Sequence, residues 1–170
     1  MVRIVYEDGL EAVAKRIAEG LGGDAMKLEN AVEAPCTLEG VDTIGLVYFK
    51  QGKDIGDGVV RFVRQGMGSI ELKGLQYLFS ICVCGDGADT KEAKASDGTK
   101  DARPQYSLKV MNRLFSSIGC LPSYSKAVPF GDEEALEEVC RELSKGAIRL
   151  AYGSPFVGLY MRANKSRFRA

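Results

Sequence analysis

Val2-Arg3-Ile4-Val5-Tyr6-Glu7-Asp8-Gly9-Leu10 runs straight on into Glu11-Ala12-Val13-Ala14-Lys15-Arg16-Ile17-Ala18-Glu19-Gly20-Leu21. Val2 to Tyr6 is a short apolar run suited to a buried strand. Glu7-Asp8-Gly9 reads as a turn. Beyond it Leu10, Val13, Ala14, Ile17, Ala18 and Leu21 recur at the spacing of one helical face, with Glu11, Lys15, Arg16 and Glu19 opposite. A helix is therefore predicted over 10–21, closed by Gly22-Gly23. Asp8, with Glu11 three residues later, predicts a capping box in which each end satisfies an orphan N–H. A strand that turns directly into a helix commonly offers an anion the free amides and positive dipole end of the helix. Here two carboxylates hold that place.

Outward from this unit, strand and helix keep alternating. Asp24 to Leu28 reads as a weaker strand, and residues 29–41 as a connection in which Pro35 excludes regular structure. Thr43 to Phe49 reads as a strand buried on both faces. A Gly-punctuated turn from Gln51 to Gly56 and a short helix from Asp57 follow, with Val59, Val60 and Val63 inward. Leu75 to Cys84 is another apolar strand. A helix is predicted from Ser107, a hydroxyl cap, to Ile118, with Leu108, Met111, Phe115 and Ile118 on its apolar face. Cys120 to Phe130 is extended. The last helix starts at Asp132 with Glu133 and Glu134 in its first turn and Lys145 and Arg149 late, as the dipole prefers. Its buried stripe is Leu136, Val139, Cys140, Leu143 and Ala147. Strands that are almost continuously apolar, alternating with helices, call for an α/β fold: a three-layer, doubly wound parallel sheet of about five strands.

Composition bounds the function. The 170 residues suit one domain that buries roughly 70% of its unfolded surface without a disulfide or metal staple. A formal charge of zero gives no long-range steering toward nucleic acid or anionic lipid, so neither is expected as a partner. Met1 leads directly into the first strand, and no apolar stretch approaches the roughly 18 residues of a membrane span, so neither signal peptide nor membrane segment is expected. Five cysteines without regular spacing fit the reduced cytoplasm. With no histidine, a Ser–His–Asp triad, a Cys–His nucleophile or a His-ligated metal is excluded.

Ile4-Val5-Tyr6 leading into Ala12 to Leu21, the strand Ile44 to Phe49, and Cys84-Gly85-Asp86-Gly87 closing a long apolar strand together resemble the flavodoxin family. In element order the resemblance covers roughly residues 1–151, leaving 152–170 as a basic tail. It implies strand order 2-1-3-4-5 and FMN held at the strand ends. It also implies cofactor contacts from Asp8, Gly9 and Leu10 in the first loop, from Phe49, Lys50, Gln51 and Gly52 in the second, and from Gly85, Asp86 and Gly87 in the third. The family's aromatic ring platform would fall to Tyr48, Phe49 or Tyr106. The family's first loop is hydroxyl-rich and wraps the phosphate, whereas Glu7-Asp8-Gly9-Leu10 is shorter and has no hydroxyl. A carboxylate about 4 Å from a phosphate charge costs roughly 1 kcal/mol in water and about 4 at an effective dielectric of 20. Phosphate binding, if it occurs, is atypical.

Three functions stay open at this point: an FMN-dependent electron carrier or small reductase, a flavodoxin-like domain without flavin that binds or assembles with a protein partner, and a cleft for an amine or cation drawn to Glu7, Asp8 and Asp86. Cys82 and Cys84 share one strand face, as space-filling thiols or as a redox pair. Residues 87–105 read as a charged surface excursion or a lid. The tail carries Arg162, Lys165, Arg167 and Arg169 behind the apolar Phe156, Val157, Leu159, Tyr160 and Met161, and leaves four net negative charges on the rest. The basic end reads as a frayed, solubilising terminus or as a segment that docks on an acidic partner or on its neighbour in a homodimer, and the apolar patch should pack on something.

Overall fold

The computed structural model describes residues 1–51, 54–68, 75–85 and 104–145. Its strands are β1 (Val2–Tyr6), β2 (Asp24–Lys27), β3 (Thr43–Gln51), β4 (Asp54–Ile55), β5 (Tyr77–Cys84) and β6 (Tyr124–Pro129). Its helices are α1 (Glu11–Leu21), α2 (Leu28–Glu33), α3 (Asp57–Arg61), α4 (Pro104–Ser117) and α5 (Glu133–Ser144). Five strands pair in parallel in the order β2-β1-β3-β5-β6, which is 2-1-3-4-5 once β4 is set aside. The two-residue β4 folds back antiparallel on Lys50 and Gln51, so β3 is longer than its apolar run and ends in a small hairpin.

Side-chain alternation divides the core in two. Ile4 and Tyr6 of β1, Val47 of β3, and Phe79, Ile81 and Val83 of β5 pack with Ala14 and Ile17 of α1 and Leu136, Val139 and Leu143 of α5. Val5, Ile44, Leu46, Tyr48, Leu78, Cys82 and Cys84 face the other way, against Leu28 and Ala31 of α2, Val59 of α3 and Met111 and Phe115 of α4. The three-layer sandwich follows directly: a period of two in the strands meets a period of 3.6 in helices on both sides.

Two glycines are dictated by packing. A Cβ on Gly45 would lie 2.2 Å from Cζ of Phe79, the facing residue on β5, so the Phe79 ring lies across the bare backbone of β3. Gly22, at φ 65°, ends α1, and Gly23 presses so closely on Val2 that a side chain would meet its carbonyl at 2.6 Å. The two glycines read as a stop are thus also the join between α1 and β2.

Several local expectations are corrected. The Asp8–Glu11 capping box does not form: Leu10 is the N-cap of α1 and no side chain caps it. Asp8 lies two positions too early for a cap, and each acid has found a cation instead, Asp8 with Lys27 and Glu11 with Lys15, both at 2.8 Å. Residues 29–41 are not irregular, because Pro35 opens a 3₁₀ turn (Pro35–Leu38), where its missing N–H is not needed. Ser107 is no cap either, since α4 begins at Pro104 and Ser107 is buried inside it. Beyond α3 the chain continues as a π-helical turn (Phe62–Met67) that buries Phe62 and Met67, two core residues the valine pattern did not include. Asp132 caps α5 as expected, accepting the Ala135 N–H at 3.0 Å. Ala147 and Arg149, residues 87–103 of the 87–105 excursion and the 152–170 tail lie outside the described residues, while Pro104 and Gln105, read as the end of that excursion, already belong to α4.

Replacing Gly45 by Ala should lower stability by about 2 kcal/mol, because overpacking a filled core outweighs the gain of about 0.5–1 kcal/mol from removing a strand glycine. Urea unfolding checks this, and the loss should shrink when Phe79→Leu is added. Equal stability of Gly45→Ala and wild type would mean the ring does not occupy that space.

Candidate functional site

In a parallel sheet all carboxyl ends lie on one rim, here Tyr6, Lys27, Gln51, Cys84 and Pro129. The chain leaves β1 for α1 on one face and leaves β3 for α3 on the other. A crevice must open between the ends of β1 and β3. The structure has a cleft of about 270 Å³ there. Tyr6, Glu7 and Asp8 line it from the first loop, Lys27, Leu28 and Glu29 from the end of β2, Phe49 from β3 and Gly58 from α3.

Glu7 ties the first loop to the second. Its N–H donates to the Val47 carbonyl at 3.1 Å, extending the β1–β3 ladder by one residue. Its carboxylate accepts the Phe49 N–H at 2.6 Å. The carboxyl is half-buried, and burial pushes its pKa above the ordinary carboxylate value, partly offset by the Phe49 hydrogen bond. Asp8, by contrast, is exposed and points to Lys27, whose ammonium is stabilised by that contact. The acidic loop is therefore two different groups: one built into the backbone scaffold, the other a surface ion pair.

Gly9 takes φ 86°, and a Cβ there would touch the Phe49 ring at 3.4 Å. Leu10 turns inward and is fully buried in the core beside α1, away from the cleft lining. Because the capping box is absent, the amides of Glu11, Ala12 and Val13 have no side-chain cap. Phe49 is partly buried, and its ring meets that of Phe130 with centroids 5.8 Å apart and planes tilted by 45°. Phe130 is 50% exposed and is anchored by its own N–H, which donates to the Cys84 carbonyl at 2.7 Å. Gly131, at φ 80°, then turns the chain into α5.

The other expected residues separate. Lys50 and Gln51 pair with β4 through the backbone. Gly85 follows β5 on the same rim, while Gly52, Asp86 and Gly87 lie outside the described residues. Tyr106 lies in the first turn of α4, and its side chain is outside them too. Tyr48 is fully buried on the α4 face, so it is core rather than an exposed ring platform, and burial pushes its phenol far above the ordinary range. Cys82 and Cys84 share that face as free thiols. Cys82 is held well above the ordinary thiol value by Cys84 and by burial, so it remains protonated at neutral pH and is not a thiolate nucleophile. No group of described residues has the composition of a metal site, and no described helix is long and apolar enough to cross a membrane.

Lys27, Leu28, Glu29 and Gly58 were not singled out from the sequence, nor was Phe130. The rule that ligands lie at strand ends applies equally to β2 and to the last strand. A large apolar residue directly before a glycine turn was the available signal for Phe130.

No protein-family model matches this sequence, and no curated protein matches it. Solved structures do match. Rubredoxin oxygen:oxidoreductase from Desulfovibrio gigas aligns over 99% of this chain and 37% of its own, at 14% identity and a TM-score of 0.57. The chain thus spans little more than a third of that protein. Trp repressor binding protein from Bacillus subtilis aligns over 84% of this chain and 97% of its own, at 10% identity and 0.59. General stress protein 14 from Treponema denticola, solved in complex with FMN, aligns over 95% and 98%, at 11% identity and 0.54. This is a flavodoxin-like fold. At such identities the likeness extends to the five-stranded parallel sheet and its helices.

Glu7→Gln separates the charge from the hydrogen bond. In the flavodoxin-like domain the neutral form of Glu7 is favoured over its form in the unfolded chain, so the fold holds more protons and its stability falls as pH rises through the Glu7 range. The amide keeps an acceptor for Phe49 without that dependence. Thermal melts of variant and wild type should therefore differ increasingly in favour of Glu7→Gln between pH 4 and pH 7. The opposite trend would mean the fold favours the ionised form.

Proposed function

We propose that this flavodoxin-like protein is an FMN-dependent electron carrier or small reductase with an atypical phosphate site. The observation that carries this reading is the Phe49–Phe130 pair beside the cleft: two aromatic rings at the rim, one of them half in solvent, where a planar ring system would gain stacking area. The flavodoxin-like fold and structural neighbours such as the FMN complex of Treponema denticola general stress protein 14 support the same cofactor.

The residues present fit such a group in two respects. Phe49 and Phe130 offer an aromatic wall, and the amides at the start of α1 have no side-chain cap. The capping box that would have consumed those amides does not exist. A flavin held here would supply the electron-transfer chemistry. The chain's part is to orient it and set the polarity around it. Glu7 fixes the backbone of Phe49, and Tyr6, Leu28 and Phe49 give the cleft apolar surface. Gly85, with Asp86 and Gly87, belongs to this proposal as the third loop. A protein redox partner and a cytoplasmic setting go with it, the latter in keeping with five free cysteines.

One observation favours a second reading, a flavodoxin-like module without flavin that binds a protein partner. Three carboxylates, Glu7, Asp8 and Glu29, line the cleft against the single cation Lys27, a balance that opposes an anion. Titrating the purified protein with FMN decides between the two. The proposal expects a yellow complex with a Kd on the order of micromolar, and Phe130→Ala should weaken it by about three- to tenfold through lost stacking. Colourless protein with no spectral change at millimolar FMN would support the second reading and end the first.

A further inference from the structure

The cleft between the ends of β1 and β3 encloses about 270 Å³, the room of about nine water molecules at ~30 Å³ each. Its lining comes from the first loop, the ends of β2 and β3, and α3. It therefore opens on the β2 side of Phe49, whereas Phe130 reaches Phe49 from the end of β6. Acids at an exposed rim are ordinarily solvated and select nothing. Two features separate this cleft from such a rim. Glu7 is half-buried, its carboxylate accepts a single hydrogen bond, from the Phe49 N–H, and no cation among the described residues neutralises it. Burial accordingly disfavours its charge. Tyr6, Leu28 and Phe49 stand beside it as an aromatic and apolar wall. Glu29, in the first turn of α2, adds a further carboxylate, while Lys27, the one cation of the lining, is taken by Asp8 at 2.8 Å.

We infer that this cleft is a binding site for a small organic ammonium ion, with Glu7 and Glu29 supplying the countercharge and Tyr6 and Phe49 an aromatic wall for its alkyl groups. Both halves of the lining match such a ligand. Carboxylates attract the charge, and aromatic rings attract it through their quadrupole while covering the attached carbons. A bare metal ion fits less well, because no group of described His, Cys, Asp and Glu side chains is arranged to hold one. An anion is opposed by three carboxylates against one lysine that is already paired. A neutral apolar molecule would desolvate Glu7 further and leave its charge uncompensated. The volume limits the ligand to on the order of ten non-hydrogen atoms. The inference does not rest on the flavin reading, since it involves neither Phe130, nor the α1 amides, nor the third loop.

The test titrates the full chain with choline, a small quaternary ammonium ion, and with its uncharged carbon isostere dimethylbutanol, at constant ionic strength, and follows amide NMR shifts. Choline should shift the amides of Leu28, Phe49 and Gly58 with a Kd on the order of millimolar, and the isostere should bind at least about tenfold more weakly. Glu29→Gln should weaken choline by about threefold. Lys27→Gln should tighten it by about threefold, because the change removes a competing positive charge and leaves Asp8 unpaired. Both substitutions are at exposed side chains, and an exposed ion pair contributes little to the fold, so the rest of the amide spectrum should be unchanged. If the isostere binds as tightly as choline, if Lys27→Gln weakens choline, or if magnesium chloride moves the same amides equally, the ammonium site is overturned. Unshifted Leu28, Phe49 and Gly58 amides at tens of millimolar choline overturn it too. FMN binding is read separately, from visible absorbance, so either reading can fail without the other.

Discussion

The parallel backbone ladder of β1 between β2 and β3 is the constraint on which the rest of the molecule depends. Arg3 and Ile4 pair with Asp24 and Ala25 on one side and with Ile44 and Gly45 on the other. With both edges of β1 occupied, its buried side chains are committed, Ile4 and Tyr6 to the α1–α5 layer and Val5 to the α2–α4 layer. Because all neighbours run parallel, their carboxyl ends are forced onto one rim. The loop after β1 cannot be anywhere but beside the end of β3.

That juxtaposition gives Glu7 its role. A carboxylate in a turn would ordinarily be a solvated charge, and here it satisfies the backbone N–H of Phe49 at the cost of being half desolvated. The same contact holds Phe49 where it meets Gly9 on one side and Phe130 on the other. Loop one, the end of β3 and the end of β6 are thereby joined through one aromatic ring. Asp8, one residue on, has no such duty and pairs with Lys27 at the surface. Two adjacent acids of the same chemical type thus do different things, one bonded to the backbone N–H of Phe49 and the other paired with Lys27 at the surface.

The opposite face of the sheet is chemically silent by comparison. Tyr48 and Cys82 are titratable groups, yet burial and their neighbours keep them neutral. They fill space against α4.

The linear pattern was enough for the layers and most of the core, because apolar spacing of two and of 3.6 leaves few ways to bury the same residues, whereas the strand order was implied by the resemblance to the flavodoxin family. Leu10, Ala14 and Ile17 on α1 and Leu136, Val139 and Leu143 on α5 are buried as their spacing required. It also placed Glu7, Asp8 and Phe49 at the rim, since loops after parallel strands must be there. Only the folded chain decided what those side chains touch. Asp8 met Lys27, 19 residues away, instead of capping its own helix, and Phe130 reached Phe49 from the far end of the sequence. Local spacing encodes which face a residue takes, but a partner supplied by a distant strand depends on sheet register and twist, which no short stretch of sequence contains.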